Sequence, residues 1–271
     1  MSFISLASFR NSFTIRITVI ASLMCLLLIG VTIPALADPV VDTGLVDTEH
    51  AEYCLPDDPT SETLQPFPPM SPDRAALISQ FQEPNLSATE TAEILARYRS
   101  IDPTHVIPKK LLERGLVFYD VNKKLIPNPN RLSVVDFSVE SRKVRFHIID
   151  MATGEVVSIR VAHGKGSDPN NTGFATQFGN VPQSQMSSLG FYLTAEEYKG
   201  EEGDIRCRMD GLSQTNSNVR PRYIVIHQAD YVEDANVKPG RSWGCLAVSV
   251  ENHTRVVNEL KEGSIILGGT H

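Results

Sequence analysis

Beyond Asn130 the apolar residues of this chain change their spacing from every third or fourth position to every second, and that switch limits the possible folds more than any other feature. Leu132-Ser133-Val134-Val135-Asp136-Phe137, Val144 to Ile149 and Val156 to Ala162 have the alternating or continuous apolar content of strands, and Met151-Ala152-Thr153-Gly154-Glu155 turns the second into the third. Tyr223-Ile224-Val225-Ile226 and Ile265-Ile266-Leu267 continue the pattern. Ser249 to Lys261 reads as the one clear helix of this half, capped by Ser249 and ended by Gly263. The spacing therefore predicts a mainly β domain, α+β in class, over 131–271, with no internal repeat.

The preceding stretch, 73–130, has helical patterning. Asp73 to Gln82 is a short helix, and Ser87 with Glu90 forms a capping box that opens a second helix through Arg99, with Ala92, Leu95, Ala96 and Arg99 on one face. A third runs from Pro108 to about Val121 and turns Leu111, Leu112, Val117 and Phe118 inward. Residues 38–72 are rich in Pro, Asp, Glu and Thr, without a sustained apolar period, and read as an extended linker.

Residues 1–37 read as a signal peptide: Arg10 and Arg16 precede the apolar run Ile17 to Ile33, and Ala35-Leu36-Ala37 supplies a cleavage site before Asp38. A retained anchor is the alternative, and the A-x-A ending argues against it. Cys25 lacks the small preceding residue of a lipoprotein cysteine, so no stable membrane anchor is expected after cleavage, and export to the periplasm or cell envelope follows. With the leader gone, 23 of the 25 basic residues face 32 acidic ones, a net charge of −9 that disfavours nucleic acid as a partner. Cys54, Cys207 and Cys245 remain, and an odd number in an oxidising compartment leaves one thiol, for which Cys245 is the candidate. Cys54 and Cys207 either pair or stay separate. The absence of C-x-x-C and H-E-x-x-H gives no support for a metal site.

Chemistry concentrates in Tyr223-Ile224-Val225-Ile226-His227 followed by Arg241-Ser242-Trp243-Gly244-Cys245. Alternation puts Tyr223, Val225 and His227 on one strand face, so His227 emerges at a strand end, and the loop from Val232 to Gly240 can return Cys245 beside it. An isolated thiol with a pKa of about 8.5 is only a few per cent thiolate at neutral pH. A neighbouring imidazole can take its proton during attack, or hold a thiolate–imidazolium pair, and later protonate a departing amine. Gly244 permits an unusual backbone angle, so that amides around Gly244 and Cys245 could face an oxyanion, with Ser242 and Trp243 shaping the cleft wall. Either residue alone would be weak evidence, because cysteine is often a small buried hydrophobe and histidine often merely hydrogen-bonded.

The histidine followed at this interval by Ser-x-Gly-Cys resembles the L,D-transpeptidase catalytic domain. Val134-Val135-Asp136-Phe137-Ser138, Val161-Ala162-His163-Gly164-Lys165-Gly166-Ser167, Phe178-Gly179-Asn180, Ser187-Ser188-Leu189-Gly190-Phe191-Tyr192 and Met209-Asp210-Gly211-Leu212 extend the likeness to the murein L,D-transpeptidase catalytic-domain-like family over roughly 105–269. The common form of the family reads His-Gly-Thr and Ser-His-Gly-Cys-Ile-Arg; here stand His227-Gln228-Ala229 and Ser242-Trp243-Gly244-Cys245-Leu246-Ala247. Ala247 therefore lacks the family's arginine, associated with binding a substrate carboxylate or supporting the site, and Arg241, Arg222 and Arg220 are the candidates to replace it.

The resemblance implies a β-sandwich of the L,D-transpeptidase type acting on peptidoglycan stem peptides without cofactor. Cys245 attacks the carbonyl of the third residue, expected to be meso-diaminopimelate, and releases D-alanine; an amine then resolves the thioester to a 3-3 cross-link, or water does so in an L,D-carboxypeptidase. His227 is expected to be steered by a backbone carbonyl rather than an acid. His163 either contacts substrate or orients its glycine-rich loop, Tyr192 is a candidate groove contact, Phe191 belongs to the core, and Asp210 and Asn216 stabilise the connection before the histidine strand. Two rivals remain: a papain-like peptidase, which places cysteine before histidine and so has the opposite order, and a non-catalytic wall-binding module.

Overall fold

The computed structural model describes residues 69–200 and 203–271, so the leader, most of the linker and Cys54 lie outside the described residues. Three helices come first: α1 (Pro72–Ile78), capped by Ser71, α2 (Ala88–Arg97) and α3 (Lys109–Asn122). The Ser87–Glu90 capping box forms as expected, with the Ser87 N–H donating to Glu90 Oε2 at 2.8 Å and the Glu90 N–H to Ser87 Oγ at 3.3 Å. The buried face of α2 is rotated from the expected one. Ile94 is inside, with Thr91, Leu95 and Tyr98 half-buried, whereas Ala92, Ala96 and Arg99 face solvent.

The strands are β1 (Arg131–Asp136), β2 (Phe146–Asp150), β3 (Val156–Ile159), β4 (Gly190–Lys199), β5 (Ile205–Gly211), β6 (Val225–Gln228), β7 (Leu246–Val248) and β8 (Ile265–Gly269). They form one sheet in the order β3-β2-β1-β8-β4-β5-β6-β7, parallel only at β1–β8 and β6–β7. Helix α4 (Val250–Leu260) is capped by the Ser249 side chain, which accepts from the Asn252 N–H.

Two apolar layers hold these elements. α3 packs on β1 and β8, where Phe118 stacks on Phe191 with ring centroids 3.7 Å apart, and Leu111, Leu132, Val134, Ile265 and Leu267 complete that core. The second core draws Val135, Phe146 and Ile159 from one end of the sheet and Ile226, Leu246 and Val248 from the other, together with Val256, Val257 and Leu260 of α4. Residues from opposite ends can share a core only because the sheet curls on itself. The ends also meet through the backbone, the Ala162 N–H donating to Ala247 O at 2.9 Å and Gly164 bridging Ser242 in parallel. The expected mainly β, L,D-transpeptidase-like domain is thus built from one eight-stranded sheet that curls on itself, and its closing seam carries the Ser-x-Gly-Cys segment.

Candidate active site

β6 begins at Val225, two residues later than alternation suggests. Tyr223 has φ +58, outside any strand, and this kink aims its carbonyl at the incoming cysteine. The Cys245 Sγ–H donates to Tyr223 O at 3.7 Å. In the β6–β7 ladder His227 pairs with Ala247, and Cys245 lies two residues before Ala247. Parallel strand spacing and two residues of rise put the Cα atoms of His227 and Cys245 on the order of 8 Å apart. Their side chains do not hydrogen-bond to each other: the sulfur faces Tyr223 O and His227 Nε2 has no partner.

His227 Nδ1 lies 2.7 Å from Gln228 O. A carbonyl only accepts, so Nδ1 carries the proton and Nε2 is left as a bare lone pair. Both side chains are buried, and burial dominates their titration. It pushes the Cys245 thiol up to about 11, against the opposing pull of Arg206 and Arg222, and the His227 imidazole down to about 4. At neutral pH the site therefore holds a neutral thiol and a neutral imidazole rather than an ion pair.

The loop before Cys245 is built by Ser242, which is fully buried. Its N–H donates to His163 O at 2.9 Å, its carbonyl accepts from the Lys165 N–H at 2.6 Å, and its hydroxyl donates to Cys245 O at 2.8 Å while accepting from the Gly244 N–H at 3.1 Å. Ser242 is thus an internal clamp rather than a cleft wall, and the Gly244 amide expected to face an oxyanion is engaged within the loop. Trp243 is half-buried at the surface. Gly244 has φ +118, and a Cβ there would lie 2.6 Å from Met186 O and 2.8 Å from Ile224 Cδ1. Gly244→Ala is therefore expected to displace the loop, since a non-glycine residue in such a region costs about 1–3 kcal/mol before any clash. Calorimetry and turnover should show a lower Tm and at least a ten-fold loss of activity. Wild-type values for both would mean that the loop has no such requirement.

The glycine-rich loop after β3 supports this segment. Gly164 must be glycine for close approach, because a Cβ there would lie 2.2 Å from Gln185 O. The substrate contact expected of Tyr192 needs correction, and of the two roles open to His163 the structure leaves the loop-orienting one, as both residues are only 1% exposed. Arg145 Nη2 donates to His163 Nδ1 at 2.9 Å, and His163 Nε2 lies 3.5 Å from Asp168 Oδ2, so the ring orients its loop. Burial together with the Arg145 charge takes His163 down to about 4. Tyr192 is a core residue whose hydroxyl donates to Ser188 O at 2.5 Å. Phe191, as expected, is core.

Of the three arginines considered as replacements at the site, Arg241 donates to Asp168 O, and Arg220 is tied to Asp210 and to Glu196 at 3.0 Å. Arg222 alone lies against Gly244. Asp210 and Asn216 hold the connection as expected, the latter donating to Phe191 O at 2.7 Å. Sequence reading missed Arg206, whose charge acts on both Cys245 and His227 and whose Nε donates to Asp204 Oδ2 at 2.8 Å. Its signal was present: charged and apolar residues alternate from Ile205 to Asp210, the period of a strand. Cys207 is a free, buried thiol, and Cys54, its possible partner, lies outside the described residues. Among the described residues no group of three or more His, Cys, Asp or Glu could hold a metal ion.

A curled, mainly β sheet that ends on a buried cysteine and a carbonyl-steered histidine defines a class of catalytic domain. The family model described as the L,D-transpeptidase catalytic domain matches residues 104–268, and the chain belongs to that family. No curated protein sequence matches this chain. Similar solved structures include the LD transpeptidase LdtMt1 in complex with imipenem, at 14% identity over 52% of this chain and 59% of that one, TM-score 0.32. Others are Bdellovibrio bacteriovorus Bd1075, at 12% identity over 51% and 47%, TM-score 0.31, and the helical cell shape determining protein Pgp2 from Campylobacter jejuni, at 12% identity over 52% and 48%, TM-score 0.31. The chain spans about half the length of these structures.

Proposed function

We propose that the protein is an exported L,D-transpeptidase in which Cys245 attacks the carbonyl of the third residue of a peptidoglycan stem peptide, with His227 as the general base. In this reading 1–37 is a removed signal peptide, 38–72 a linker, 73–130 a helical segment and 131–271 the catalytic domain. The observation that carries the mechanism is the bare Nε2 of His227, buried without a hydrogen-bond partner while Nδ1 is fixed on Gln228 O. An unsatisfied buried acceptor is costly, and a thiol proton is the group that would satisfy it. The mechanism requires the Cys245 side chain to turn away from Tyr223 O and toward that lone pair. The C–S bond then forms as the proton passes to Nε2, and the imidazolium returns it to the departing D-alanine amine.

A neutral resting pair predicts a particular pH profile. The imidazole must be unprotonated to accept the thiol proton, and burial lowers its pKa, so the competent form persists well below neutrality. The rate of thioester formation is expected to be flat from about pH 6 to 8 and to fall on the acid side with a midpoint near 4. A midpoint at 6.5 or above would contradict a buried neutral base. The reaction itself is tested by incubating the protein with disaccharide tetrapeptides and analysing the muropeptides by mass spectrometry. Cross-linked dimers support transfer to an amine, tripeptide monomers support hydrolysis by the same thioester, and unchanged tetrapeptide would mean a non-catalytic wall-binding module.

A further inference from the structure

A cavity of about 580 Å³ opens between the end of the β4–β5 hairpin, the end of β6 and α4. Its polar lining consists of Glu197, Asp204, Gln228, His253, Thr254 and Asn258, with no lysine or arginine among the described residues that line it. This is not the surface that carries the cysteine loop. Side chains alternate along a strand, so Gln228 points away from the face of His227. Glu197, Cys207 and Ile226 stand in one row across β4, β5 and β6, on the face that Gln228 shares and α4 covers. The cavity therefore lies behind the catalytic pair.

Two of the lining side chains are buried with an acceptor left over. The Asp204 side chain is 7% exposed; its Oδ2 accepts from Arg206 Nε at 2.8 Å, and its Oδ1 has no hydrogen-bond partner. His253 is 3% exposed, and its Nε2 has no partner either. Burial lowers the pKa of that imidazole against the opposing pull of the Ile205 carbonyl, so the ring is neutral at neutral pH. Its one proton belongs on the nitrogen that meets the carbonyl, which leaves Nε2 as a lone pair. Glu197 stands half-exposed and accepts from Lys261 Nζ through Oε2 at 2.9 Å. Cations outside the cavity thus hold both carboxylates by one oxygen each. A buried acceptor without a donor is destabilising, and here two of them line one cavity.

We propose that this cavity is a second binding site, separate from the site of acyl transfer, and that it takes the primary ammonium group of a lysine-like peptide side chain, which donates to Asp204 Oδ1 and His253 Nε2. The ligand class follows from the acceptors. An ammonium offers three donors and no acceptor on a flexible stem, whereas a hydroxyl brings acceptor lone pairs that the Asp204 and His253 atoms cannot satisfy. A metal ion fits less well, because no group of three or more His, Cys, Asp or Glu among the described residues could hold one. The peptide amine is bound here and not consumed, since the site faces away from the catalytic pair.

Titration of isotope-labelled protein with Nα-acetyl-lysine amide, whose one charge is the side-chain ammonium, tests this by NMR at the His253 ring nitrogens and the Thr254 amide. A saturable shift is expected, with a Kd on the order of 1 mM for so small a ligand. The Nζ-acetylated compound loses the charge and two donors, so it should bind at least about ten-fold more weakly. Asp204→Asn should weaken the lysine amide by about ten-fold as well. The absence of a saturable shift in the wild-type protein, or equal affinity for the acetylated compound, overturns the proposal whether or not the variant folds. A folded Asp204→Asn that binds as tightly as the wild type also overturns it. None of these readouts involves Cys245, so their failure leaves the proposed acyl transfer standing, and an unreactive Cys245 leaves this site standing.

Discussion

Cys245→Ala is expected to release no D-alanine from a tetrapeptide donor. The loss should be complete, because no second thiol among the described residues can take over. Cys207, the other cysteine among the described residues, is buried, with its thiol pushed up to about 12, and its bonds run to Ala195 O and Arg208 O. The substitution removes one weak bond to Tyr223 O and a small apolar volume, so the variant should still fold. Circular dichroism and a melting curve would separate loss of chemistry from loss of structure. Full retained activity in a folded variant removes Cys245 as the nucleophile.

His227→Ala should lower the rate of thioester formation by about 10² to 10⁴, the usual worth of positioned proton transfer. The drop is expected in the acylation step measured by rapid quench, more than in substrate binding, since the imidazole contributes a proton acceptor and not a binding surface. The direction follows from burial: a thiol held near 11 is almost wholly protonated at neutral pH, so removal of its base leaves a poor nucleophile. An unchanged acylation rate would point to a different base, for which Arg206 and Arg222, both cations, are unsuited.

Much of this architecture was legible because local chemistry decided it. The capping box of α2 and the Ser249 cap of α4 are set by hydrogen bonds within one turn, and β1, β2 and β8 have enough alternating or continuous apolar content to be read directly. β4 was not read as a strand. Its first six residues are all buried, its last four are mostly exposed, and a register shift between Thr194 and Glu197 breaks the alternation that would have marked it. β5 hid for another reason, as its arginines at 206 and 208 look like surface residues until Asp204 and Glu196 are brought beside them.

The site shows the same division. Cys245 and His227 were chosen by residue type and order, which chemistry restricts severely. Tyr192 was misplaced as a groove contact, and His163 was left between two roles, because their partners, Ser188 O and Arg145, depend on a sheet curling back on itself. The carbonyls of Tyr223 and Gln228 that aim the thiol and the imidazole belong to the backbone and leave no trace in side-chain identity.

The covalent intermediate is the direct measure of the whole account. Enzyme mixed with a tetrapeptide donor, quenched in acid within a turnover and digested, should yield the peptide containing Cys245 heavier by the acyl tripeptide, with the bond cleaved by hydroxylamine as a thioester is. An unmodified Cys245 peptide during active turnover, or the acyl group mapped to any other residue, would contradict it.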